Sequence, residues 1–198
     1  MTALTLNLDS ITHLDPERFR ELCQDNRDVR LELTSQGALI VMPPTGWESG
    51  RRNASLNLDL GLWNRKTGLG IVFDSSTGFV LPNKAIRSPD AAWVASDRLR
   101  ALNPNPEGFL PLAPDFVIEL RSHSDRLVVL QDKMQEYIEN GVRLGWLLNP
   151  KDQQVEIYRP GKGVEILHTL DAMRSPICLS GEDVLPGFVL DLAEIFDL

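Results

Sequence analysis

The segment PDFVIELRSHSDR, residues 114–126, places two acids, Asp115 and Glu119, on a short apolar run. Charged side chains are seldom buried unless they are paired or bind a metal, so acids on a core strand call for partners. Strand parity puts residues 115, 117 and 119 on one face. At roughly 3.3 Å per residue, the Cα atoms of Asp115 and Glu119 would stand roughly 13 Å apart, too far to share one ion comfortably. A better partner for Glu119 is Asp90, in IRSPDAAWVAS. Its extended segment is one loop away, so the two strands can be neighbours and their acids can lie side by side. Adjacent carboxylates resist joint ionisation unless a cation sits between them. A hard dication such as Mg²⁺ takes one or two carboxylates and completes its shell with water and phosphate oxygens. Such an ion turns bound water into a nucleophile and polarises a phosphodiester.

The chemistry also calls for a fixed positive charge near the developing negative charge. Arg121 stands two residues beyond Glu119, on the same face by parity, and can hold charge without acting as a base. Lys133, in LQDKMQEYIENG, is the other candidate. Helical periodicity buries Leu127, Leu130, Met134 and Ile138 and sets Lys133 and Tyr137 along one edge of that face. Asp115 reads as a strand-start acid. His123 stands far in sequence from His13 and His168 and makes neither a triad nor a zinc set with them. Cys23 and Cys178 read as small buried hydrophobes rather than a disulfide framework.

These residues need elements to hold them. LDPERFRELCQDN reads as a helix with an Asp-Pro start, and VRLELTSQGALIVMP as a hairpin about Gln36-Gly37. Leu56, Leu60 and Trp63 mark a helix over residues 47–66, stopped by Gly68 and Gly70. Three short extended pieces follow between residues 71 and 95, the last over 87–94. The strand 115–120 leads into a helix over 124–140, capped by Ser or Asp at its start and by Asn140-Gly141 at its end. VRLGWLLNP then reads as a buried strand reached by a helical crossover, parallel to the one before it. A hairpin about residues 160–163 and a short C-terminal segment complete an α/β domain with a mixed sheet. The 198 residues suit a single domain spanning 1–198. There is no bilayer-length apolar run and the N-terminus lacks signal-peptide character, so the expected location is the cytoplasm, with no membrane association. A formal charge of −8 argues against nucleic-acid binding through bulk positive charge, although acids that hold a metal are themselves negative.

Taken in order, RSPDAAWV, PDFVIELRSHSDRL, LQDKMQEYIENGVRLGWLLNP and VEIYRPG resemble the Uma-two family of restriction-type endonucleases. The resemblance implies the PD-(D/E)XK nuclease fold, a central mixed β-sheet flanked by helices, with N-terminal helix and hairpin additions and a C-terminal hairpin. It implies Mg²⁺ or Mn²⁺ held by Asp90 and Glu119, with Glu48 of the first core helix as a supporting acid. The superfamily's lysine position is Arg121 here, and the lysine function maps onto Lys133. The implied activity is metal-dependent hydrolysis of nucleic acid, with DNA the expected substrate and a homodimer the expected assembly. The alternative is a nuclease fold kept as a binding or regulatory module without catalysis.

Overall fold

The computed structural model describes residues 3–8, 12, 14–168 and 178–196. In chain order, β1 (Leu4–Leu6), α1 (Pro16–Asp25), β2 (Arg30–Leu33) and β3 (Leu39–Met42) lead into α2 (Trp47–Thr67). Four strands follow: β4 (Gly70–Asp74), β5 (Phe79–Val80), β6 (Ile86–Arg87) and β7 (Ala91–Ala95). Helix α3 (Ser96–Leu102), β8 (Phe116–Leu120), α4 (Leu127–Glu139) and β9 (Leu144–Asn149) come next. The chain closes with β10 (Gln154–Tyr158), β11 (Glu165–His168), β12 (Cys178–Ser180), β13 (Val189–Asp191) and α5 (Ala193–Phe196).

The central sheet has six strands in the order β11-β10-β9-β8-β7-β4. It is mixed because β8 and β9 are parallel, joined through α4, while its other pairs are antiparallel. Both faces are covered, which explains why β8 (FVIEL) and β9 (LGWLLN) are buried at every position. On one face Phe116, Ile118 and Leu120 meet Leu56 and Leu60 of α2, with Trp146 and Phe188 in the same cluster. On the other, Val117 and Leu147 meet Met134 and Tyr137 of α4. A second sheet, β1-β3-β2-β6-β5, closes a smaller core around Phe19, Leu33 and Ile86. Among the described residues no helix is long and apolar enough to cross a membrane.

The expected α/β architecture is present, with local differences. Residues 87–94 are not one strand. Ile86–Arg87 pairs with β2 and β5 in the smaller sheet, whereas Ala91–Ala95 pairs with β4 and β8 in the central one. Pro89 has no N–H for a ladder, and the chain changes sheets at Ser88-Pro89-Asp90. Helix α4 starts at Leu127 with Arg126 at the N-cap and no side-chain cap. The carboxylate of Asp125 is spent on the Ser122 N–H (2.8 Å), so it serves the turn before the helix instead. Gly68, at φ 65°, ends α2 as expected. Gly70 does something else. It opens β4, where a Cβ would lie 2.3 Å from the Val94 carbonyl oxygen and 2.4 Å from the Trp93 ring.

Candidate active site

The β7–β8 ladder pairs Ala91 with Ile118, so Asp90, one residue earlier, stands across from Glu119. The two acids therefore share a sheet face, as cross-strand neighbours do. Asp90 also closes the end of the ladder. Its Oδ2 accepts the Leu120 N–H at 2.8 Å and its Oδ1 accepts Asn53 Nδ2 at 2.9 Å. Asn57, one turn further along α2, donates to the Asp90 backbone carbonyl at 3.0 Å. Both asparagines spend their amide N–H on Asp90 and leave Oδ1 buried without a donor.

Helix α4 lies over the same face and supplies Lys133 and, one turn on, Tyr137. Lys133 is buried, with Nζ 2.8 Å from Glu119 Oε1. The Tyr137 hydroxyl donates to the same oxygen at 3.0 Å. Thus Lys133 is not a solvent-reaching residue at the helix edge; it points inward at the acids.

Sequence reasoning missed Glu32. It is buried on β2 of the smaller sheet, and its carboxylate accepts Lys133 Nζ (2.8 Å), Arg87 Nη1 (3.2 Å) and the Ser88 N–H (3.0 Å). Arg87 is shared with Glu136 of α4, at 2.6 Å from Nε. The alternation in RLEL was legible, with Leu31 and Leu33 set against Arg30 and Glu32. The roof that α4 and the Ser88-Pro89-Asp90 corner build over the polar side was not.

The charges settle unequally. Burial pushes Glu119 up, and despite the opposing Lys133 charge, Asp90 and Glu32 help to bring its carboxyl to about 7. Burial likewise raises Asp90, against the Leu120 N–H and Lys133. Burial works on Glu32 in the same sense, but Lys133 and Arg87 outweigh it and hold that carboxyl below its usual value. Burial works against the Lys133 charge, yet Glu119 and Glu32 more than offset it, and the ammonium stays protonated. Glu119 is therefore the acid on which the crowding of negative charge falls.

The structure brings Asp90, Glu119 and Lys133 together, and it leaves the other candidates outside that contact. Arg121 follows the end of β8, so strand parity no longer aims it. Its guanidinium turns to Asn149 (3.2 Å) and Asp152 instead of the acids. Glu48 lines the same cleft but is half exposed and pairs with Arg52 at 2.9 Å. Among the described residues no three acid, histidine or cysteine side chains converge as a metal cage. Asp115 is structural: it accepts the Ala95 N–H (2.9 Å) and pairs with Arg98 (3.0 Å). His123 is exposed and His13 lies outside the described residues.

The donor set suits a hard dication bound through two carboxylates and water. Glu119 uses only Oε1 for its hydrogen bonds, which leaves its second oxygen for an ion. Both acids open on a cleft of about 970 Å³.

A mixed sheet covered by helices on both faces, with an Asp/Glu pair at the end of two central strands and a lysine beside it, defines a restriction-endonuclease-like fold. A crystal structure from Anabaena variabilis ATCC 29413, described as "a putative nuclease belonging to DUF820", superposes with a TM-score of 0.76. The match covers 93% of this chain and 98% of that one at 16% identity. Residues 16–193 match the sequence model of the Uma2 family, described as "Putative restriction endonuclease", and the chain belongs to that family. No curated protein matches it.

Proposed function

We propose that the protein is a metal-dependent endonuclease that hydrolyses phosphodiester bonds in nucleic acid, with DNA as the substrate and the cytoplasm as its place of action. The observation that carries this reading is the cross-strand pair Asp90 and Glu119 with Lys133 Nζ 2.8 Å from Glu119. Asp90 and Glu119 would hold Mg²⁺ or Mn²⁺. The ion would supply Lewis-acid polarisation of the phosphodiester and a water acidic enough to attack it. Lys133, kept protonated by two carboxylates, serves as a fixed charge and hydrogen-bond donor toward the attacking water and the phosphoryl oxygens, not as a base. Water adds to phosphorus, the ester P–O bond breaks, and the departing oxygen takes a proton. Glu48 on the cleft wall would support the ion through water, and Arg121 would hold the strand end in place. A homodimer belongs to the version of this reading in which both strands of a duplex are cut.

The test is Mn²⁺ binding by calorimetry on wild type and Asp90→Ala, followed by cleavage of single-stranded and duplex DNA. Binding and cleavage abolished together in a folded variant support the reading. No binding at millimolar metal transfers the argument to a second reading, a non-catalytic module on the nuclease fold. That alternative has its own observation in its favour: Arg121 is engaged by Asp152, and Lys133 is already shared with Glu32.

A further inference from the structure

The cleft carries one feature that the metal site does not use. Trp47, the first residue of α2, is 82% exposed and lines the cleft beside Glu48. The other tryptophans do not compare: Trp93 and Trp146 are buried, and Trp63 donates its indole N–H to the Pro186 carbonyl. An indole left almost wholly in water at a cleft mouth keeps both faces of its ring free to stack against an incoming planar group. Pro43 and Pro44 precede it closely, which limits how far the segment ahead of α2 can rearrange to cover the ring.

The electrostatics select the occupant. Seven arginines and lysines against seven aspartates and glutamates line the cleft, so the chain's net charge of −8 resides wholly outside it. Among the described residues, Arg126 and Lys151, which also line the cleft, are exposed and make no ion pair. A flat apolar ring and unpaired cations in a cleft without net formal charge, on an acidic chain, match a ligand with aromatic faces and a polyanionic backbone. An apolar protein surface would satisfy the ring but not the cations.

We propose that Trp47 is a stacking platform for an unpaired nucleobase, and that the cleft receives a single-stranded DNA segment whose phosphates meet Arg126 and Lys151. Every base has a π-face, so such a platform selects strandedness rather than sequence. This rests on the nuclease reading for its substrate but not for its test. It also removes the need for a second active site, since one strand requires one cut.

The experiment uses the full chain as Asp90→Ala, without metal, so that the probe survives. A 15-nucleotide oligothymidylate is titrated while tryptophan emission and oligonucleotide anisotropy are followed. Stacking on Trp47 quenches emission, and Trp47→Ala, added to Asp90→Ala, weakens binding roughly tenfold while Trp47→Phe retains most of it. The same sequence as a blunt duplex binds more weakly and quenches little. Equal affinity of the Trp47→Ala chain, or stronger binding of the duplex, overturns the proposal. So does a change of oligomeric state on Trp47→Ala in sedimentation, which would assign the ring to a second copy of the chain. Because no step requires metal or cleavage, quenching without metal binding by the native chain leaves this site standing and removes the nuclease reading; cleavage without Trp47 dependence does the reverse.

Discussion

Glu119 titrates near neutrality because it is buried among like charges, and this has two separable consequences. Metal and proton compete for it, so Mn²⁺ affinity in calorimetry should fall as pH drops below about 7, approaching tenfold per unit. Stability moves the other way. A carboxyl whose folded pKa is raised from 4.5 to about 7 favours the unfolded chain progressively as pH rises through that window. Glu119→Gln removes the ionisation while keeping an oxygen for Lys133 and Tyr137. Its melting temperature without metal should exceed wild type at pH 8, and the difference should vanish at pH 5. Glu32, with its pKa lowered, acts in a separate window: its stabilisation is present above 4.5 and is lost as pH falls through its folded value. Equal melting temperatures of Glu119→Gln and wild type at pH 8 would show that Glu119 is not the strained acid.

The buried charged groups find their partners on other elements of the fold. Lys133 neutralises Glu32 and Glu119 together, so Lys133→Met would leave two buried carboxylates with reduced compensation. The expected loss is about 3–5 kcal/mol in urea unfolding at pH 8. Asp115 joins the ends of β7 and β8 to Arg98 of α3, and Asp115→Ala should cost about 2 kcal/mol. It should leave Mn²⁺ binding intact, which separates the structural acid from the functional pair. Much of this was readable from the chain. The rise per residue separated Asp115 from Glu119 despite their shared parity, and the Asp90 strand was expected beside its neighbour. Arg121 misled because parity ends with the strand at Leu120. Glu32 was silent because a two-residue alternation tells which side of a hairpin is polar, not what will cover it. Lys133 was legible as a cation within reach of the acids, because helical periodicity set it at the edge of the apolar face; its second partner, Glu32, was not, because periodicity is blind to an acid brought in from another sheet.

On the scale of the whole molecule, the uneven distribution of charge governs encounter with any polyanion. With the net charge of −8 lying outside a charge-balanced cleft, a polyanion meets less repulsion there than over the rest of the chain on average, which favours few contacts over many. With Arg30, Arg126 and Lys151 as the exposed cations of the cleft, the slope of log affinity against log salt for single-stranded DNA should be about −2. A slope of −5 or steeper would require a basic surface outside this cleft. The mixed central sheet was legible, but the second sheet and the change of sheet at Pro89 were not, because a proline inside an extended run does not announce where the chain goes next.

The hydrogen bond from Lys133 to Glu32 closes a gap of 101 residues. A contact of such separation closes only once both sheets and the crossover helix bring Lys133 and Glu32 together, which predicts that it forms late. The charged centre should then be among the last features to form and the first to be released. Stopped-flow kinetics of Glu32→Gln should show faster unfolding with an almost unchanged refolding rate, the signature of a contact absent from the folding transition state. An organism tuning this protein's lifetime could therefore act on the same residue that orients its lysine, and the durability of the chain and the readiness of its site would change together.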